Sequence, residues 1–123
     1  MAAPNVVNVT SIYGKTKGGT LATSNADILT NTAASGKLLK INSIIVANVD
    51  GTNAADVTIQ FYNADNTVGY HLAKTVAVPN KSTLIVLGKD APIYLEEGDK
   101  IQALASAAGD LEIIISYEEL DDA

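Results

Sequence analysis

Ile93-Tyr94-Leu95-Glu96-Glu97-Gly98-Asp99-Lys100-Ile101-Gln102-Ala103-Leu104-Ala105, followed at Leu111 by Glu112-Ile113-Ile114-Ile115-Ser116-Tyr117, reads as three strands separated by two turns. Ile101, Ala103 and Ala105 fall on one face by a period of two, and so do Leu111, Ile113, Ile115 and Tyr117. Glu96-Glu97-Gly98-Asp99 has the composition of a tight turn. Nothing here has the makings of a reaction centre. The stretch therefore points to an antiparallel all-β body whose work is done by its surfaces.

The same period continues upstream. Leu39, Ile41, Ser43, Ile45, Ala47 and Val49 share one face of a long strand, and Asp50-Gly51 after it is a hairpin signal. Val57, Ile59 and Phe61 form the next face, and Asn63 to Asn66 the next turn. A strand from Val68 or Tyr70 to Val78 stops at Pro79, which lacks the ladder donor, and Ser82 to Leu87 is another. Before Lys37 the pattern weakens. Val7 and Val9 alternate with Asn8 and Thr10 as a first strand or an extended arm over residues 1–12. Gly14 to Gly19 reads as a loop, and Asp27-Ile28-Leu29 as a short strand or one helical turn. Seven or eight strands punctuated about every ten residues predict one domain over residues 1–123, an antiparallel β-sandwich or jelly roll.

Charge narrows the function. There are 14 Asp and Glu against 8 basic residues, all of them lysine, for a net charge of −6. Neither nucleic acid nor an anionic membrane is an expected partner, because both call for a basic patch and nucleic acid usually for arginine. With no cysteine there is no disulfide, thiolate metal site or cysteine nucleophile. Met1-Ala2-Ala3-Pro4-Asn5 lacks the basic and apolar regions of a signal peptide, so a soluble product made in a reducing cytoplasm is expected.

Candidate chemistry is thin. His71 is the single histidine and has no evident nucleophile or orienting carboxylate beside it. Asp50, Asp56 and Asp65 lie at turns without the spacing of a calcium loop, and Asx-turn hydrogen bonding accounts for them. Glu96-Glu97 with Asp99 is a strand-ending turn, and Glu118-Glu119 with Asp121-Asp122 a solvated terminus. A glycosidase cleft would also want aromatics, and the chain has no tryptophan. No catalytic residue, metal or cofactor is expected.

Apolar residues on the wrong faces carry more information. Ile44 and Val46 lie opposite the face of Ile41 and Ile45, and Leu104 and Ile114 lie opposite core-facing neighbours. A sheet with one wet face should be polar there. Together with Val6, Val7 and Val9 of the N-terminal segment, these residues form the expected subunit interface.

Leu38-Leu39-Lys40-Ile41-Asn42-Ser43-Ile44-Ile45-Val46-Ala47-Asn48-Val49-Asp50-Gly51-Thr52-Asn53-Ala54-Ala55-Asp56-Val57-Thr58 combines with two later segments. These are Ile93-Tyr94-Leu95-Glu96-Glu97-Gly98-Asp99 and Ile114-Ile115-Ser116-Tyr117-Glu118-Glu119. The combination resembles small virion structural proteins of tailed phages, notably those of cyanobacteria and other aquatic bacteria. The resemblance runs from about Leu38 onward. It implies a particle component assembled in the host cytoplasm, with the major capsid protein or other virion proteins as partners. Decoration and cement subunits of capsids suit this size. They are frequently trimers and reach neighbours with an extended arm. A neck or tail component is the alternative, as is a host-surface-binding jelly roll at a fibre, where Tyr62 and Tyr70 would supply aromatics.

Overall fold

The computed structural model describes residues 6–121. Among them nine strands and no helix occur. The strands are β1 (Ser11–Thr20), β2 (Ala26–Thr30), β3 (Lys37–Asn48), β4 (Ala55–Asn63) and β5 (Val68–Val78), then β6 (Thr83–Leu87), β7 (Ile93–Leu95), β8 (Lys100–Ala105) and β9 (Leu111–Asp121). They form two antiparallel sheets. Sheet A runs β1-β9-β3-β6 with β7 also paired to β3, and sheet B runs β2-β8-β4-β5. The pairs β1:β9, β2:β8, β3:β6 and β4:β5 nest one inside another. That is consistent with a jelly roll, a long antiparallel ribbon folded over on itself.

This nesting changes the meaning of the turns. Only β4 and β5 are both consecutive in sequence and paired. The Asp50-Gly51 turn does not close a hairpin: β3 belongs to sheet A and β4 to sheet B. Buried Asn48 holds that corner, its Nδ2 donating to the carbonyls of Asn53 at 3.1 Å and Val78 at 2.8 Å. The Glu96–Asp99 turn is likewise a crossing, from β7 in sheet A to β8 in sheet B. Gly98 takes φ 92° there, which favours glycine, and its N–H donates to the carbonyl of Asn31 at 2.7 Å. Buried Asp99 accepts from the backbone N–H groups of Glu96 and Ala64. Asn31 Nδ2 reaches the carbonyls of Lys37 and Leu95. Both corners thus hold buried polar side chains, and among the described residues no buried side-chain N or O atom is left without a hydrogen-bond partner.

The core lies between the sheets. Sheet A supplies Leu39, Ile41, Ile44, Val46, Ile113 and Ile115, and sheet B supplies Val57, Ile59, Ile101, Ala103 and Ala105. The faces read from β8 and β9 are the observed ones. In β3 the face changes midway. Its register against β9 shifts between Ile41 and Ser43, where a β-bulge adds one residue. Before the shift Leu39 and Ile41 point inward. After it Ile44 and Val46 do, both at 0% exposure, while Ile45 turns outward. The expectation that Ile44 and Val46 form an interface is therefore corrected: this chain's own core consumes them. A one-residue insertion inverts every face beyond it.

The second correction concerns Gly14 to Gly19, read as a loop. All ten residues of β1 pair with β9 without a break, from Ser11 opposite Asp121 to Thr20 opposite Glu112. Ser11 and Ile12 belong to this strand, and residues 1–5 of the expected arm lie outside the described residues. Asp27-Ile28-Leu29 is strand, in β2.

Candidate partner surface

Side chains directly opposite in an antiparallel pair share a face. Ile113 and Ile115 point into the core, so Ile114 points out. Its neighbours across the ladder are Gly18 in β1 and Ile45 in β3, and Ile45 is paired with Ile85 in β6. Gly18, Ile114, Ile45 and Ile85 therefore form one row across the outer face of sheet A. Ile85 is 67% exposed and Ile114 41%. The row on one side is Thr20, Glu112, Ala47 and Thr83, and on the other Thr16, Ser116 and Ser43. Glu112 is the one ionisable side chain among them. In a chain of net charge −6 this is a small, almost uncharged field centred on three isoleucines.

A second apolar area occupies the far end of the same face. Ile12, Leu120 and Leu38 stand in one row. Leu38 and Leu120 are buried but do not belong to the core between the sheets. A cleft of about 300 Å3 there is lined by Val6, Leu38, Tyr94 and Glu96. Val7 is 87% exposed, and Val9 is half-buried.

Tyr94 also lines a second cleft, of about 310 Å3, with Phe61, Tyr70, His71, Leu72 and Ile93. Three of the chain's six aromatic residues meet there, although they are scattered in sequence. Tyr70 and Tyr94 are each about half exposed. Tyr62, paired with Tyr70 in the sequence argument, is elsewhere engaged: Lys100 Nζ sits 5.1 Å from its ring centroid.

Several of the residues singled out for chemistry do structural work. No carboxylate lines the cleft beside His71. Glu97 Oε2 accepts the N–H of Gly36 at 2.6 Å, tying the β2–β3 loop to the β7–β8 turn. Asp50 Oδ1 accepts the N–H of Thr52, as an Asx turn requires, and Asn63 rather than Asp65 supplies the oxygen of the next one. Among the described residues no cluster of three His, Asp or Glu could hold a metal ion. Glu119 lies between Lys15 and Lys37, at 3.2 and 3.3 Å, on the strand whose end reads in sequence as a solvated terminus. Hydrogen bonds from Gln102 and Lys100 hold the Asp27 carboxyl below its ordinary range.

Of the expected interface residues, Val6, Val7 and Ile114 are exposed, and Val9 and Leu104 are half-buried. Ile114 faces sheet A's outer side. Leu104 is on sheet B, opposite Thr58 and outside the core, so it is no neighbour of Ile114. Ile85, Ile12 and Tyr94 went unread as surface residues. Alternation in Thr83–Leu87 was the available signal for Ile85. For the other two, only the strand pairing reveals the row or cleft they join.

No family model matches the chain, and no curated protein matches it in sequence. Solved structures do resemble it. A chain from the disulfide-linked pili of Bacillus endospore appendages superposes with a TM-score of 0.50 at 19% identity, over 90% of this chain and 88% of that one. A chain from the acidic stable capsid structure of Helicobacter pylori bacteriophage KHP30 superposes with a TM-score of 0.51 at 8% identity, over 94% and 91%. At such identities the likeness is one of fold.

Proposed function

We propose that this chain is a non-enzymatic structural subunit of a phage particle, and within that role a capsid decoration or cement protein. The observation that carries the reading is the Ile85–Ile45–Ile114 row on the outer face of sheet A. The core between the sheets is complete without it. Exposed isoleucines on the outer face of sheet A leave apolar surface in water that a partner would cover, at roughly 25 cal/mol per Å2 buried. The end-to-end likeness to a chain of similar length in a phage capsid structure supports the same reading.

The mechanism is avidity. Each copy buries a modest area against the major capsid protein, and lattice repetition turns weak contacts into particle stability. Self-association, as a trimer, with the segment around Val6 and Val7 reaching a neighbour, would multiply those contacts. Quantitative mass spectrometry of purified virions is expected to find copies in the hundreds, as on the order of one per capsid subunit requires. Particles carrying the chain should rupture at a higher temperature than particles without it. A handful of copies would instead indicate a neck or tail ring, and equal rupture temperatures would remove the cement role.

The aromatic cleft favours a second reading, a host-surface-binding jelly roll at a fibre. Phe61, Tyr70 and Tyr94 line one cleft, and aromatic rings are the groups on which a sugar stacks. It predicts that the isolated protein is retained on host cells and that Tyr94→Ala abolishes the retention. A protein that washes off as readily as a control ends this reading.

A further inference from the structure

β1 is an edge of sheet A: one side pairs with β9 along its whole length, and among the described residues no strand pairs with the other. A row of backbone donors and acceptors is thereby left open over ten residues. Other edges are blunted. β2 and β6 have five residues each and a register shift, and β5 shifts twice and holds Thr75 at φ 50°. β1 has no shift, no proline and no residue at positive φ.

Its two faces differ. Outward, Gly18 ends the isoleucine row, and a Cβ there would meet only the Ile113 carbonyl at 3.8 Å. The fold of this chain does not require that glycine. An added strand with a large apolar residue opposite Gly18 would extend the row and cover Ile114, as aromatic or branched residues cover edge glycines elsewhere. On the other face stand Lys15 and Lys17, two residues apart. Lys15 is paired with Glu119, and among the described residues Lys17 makes no ion pair. β1 carries no acidic residue. A second copy of β1 laid antiparallel about Thr16 would set Lys15 against Lys17, and like charges directly opposite are unfavourable. The same lysines that oppose self-pairing welcome carboxylates.

We infer that the free edge of β1 receives an extended segment of another protein in which large apolar and acidic residues alternate. Main-chain hydrogen bonds supply the affinity, and the two faces supply the selection. The inference concerns the isolated chain and stands whether or not the chain decorates a capsid.

The test uses the isotope-labelled full chain and two nine-residue peptides, one alternating Val and Glu, the other Val and Lys. The Val-Glu peptide is expected to slow hydrogen exchange at alternate amides of Ser11–Thr20 by about tenfold or more and to shift the Ile114 methyl resonances. The Val-Lys peptide should do neither, and Lys17→Glu should invert the preference. Lys17 is exposed and makes no ion pair among the described residues, so that variant keeps its fold. Protection of β5 or β6 instead, equal response to both peptides, or an unchanged preference in Lys17→Glu would overturn the inference. So would concentration-dependent protection of β1 without peptide, which would mean self-pairing.

Discussion

Ile44 and Ile45 are adjacent and chemically identical, yet one lies in the core and the other on the outer face. Truncation separates a core isoleucine from one on the outer face. Ile44→Ala should cost about 2–5 kcal/mol in urea unfolding, the range for a buried isoleucine that leaves a cavity. Ile85→Ala should change stability by less than about 0.5 kcal/mol, because its side chain already meets water. Asn48→Ala should cost about 1–3 kcal/mol, since the Asn53 and Val78 carbonyls lose their donor at a closed corner. Asp27 gives a pH dependence. Its pKa is lower folded than unfolded, so the stability it contributes is complete above its unfolded value and lost as pH falls through the folded value. Asp27→Asn should flatten that acid limb of the stability curve, and only slightly, because half of the side chain is in solvent. None of these fates is written in residue type alone. Alternation assigns Ile45 to the core, and the β-bulge between Ile41 and Ser43 reverses the assignment.

Among the elements, the strands were far more legible than their partners. β3, β4, β8 and β9 follow from branched and apolar residues at a period of two. β1 did not, because three glycines and two lysines in ten residues resemble a loop. Pairing with β9 along its full length overrides that weak local preference. Gly14 tests this. Its backbone is ordinary and a Cβ would meet nothing within 4 Å. Gly14→Val is expected to stabilise the chain by about 0.5–1 kcal/mol and raise its melting temperature by a few degrees. A fall in melting temperature would show that the strand needs glycine for a reason internal to this chain. Turn chemistry misled in a different way. Asp50-Gly51 does turn the chain, but sequence cannot say whether the next strand joins the same sheet or crosses to the other. That choice rests on contacts such as Asn48 with Val78, thirty residues apart.

At the scale of the whole molecule, nested pairing makes one closed core and two nearly independent outer faces. Class was legible, and so was the core outside the second half of β3, since they depend on periodicity summed over many residues. The candidate surface was legible only in Ile114 and the N-terminal valines. The isoleucine row exists because three strands remote in sequence align in register, and no local pattern encodes that alignment. The account's central claim is that this row is an attachment surface. The most direct measurement is add-back of purified chain to phage particles assembled without it, counting bound copies as concentration rises. Saturation at many copies, lost in the doubly substituted Ile85→Asp, Ile114→Asp chain while its unfolding midpoint holds, is the predicted result. No binding by the unaltered chain, or the same binding by both, would contradict it.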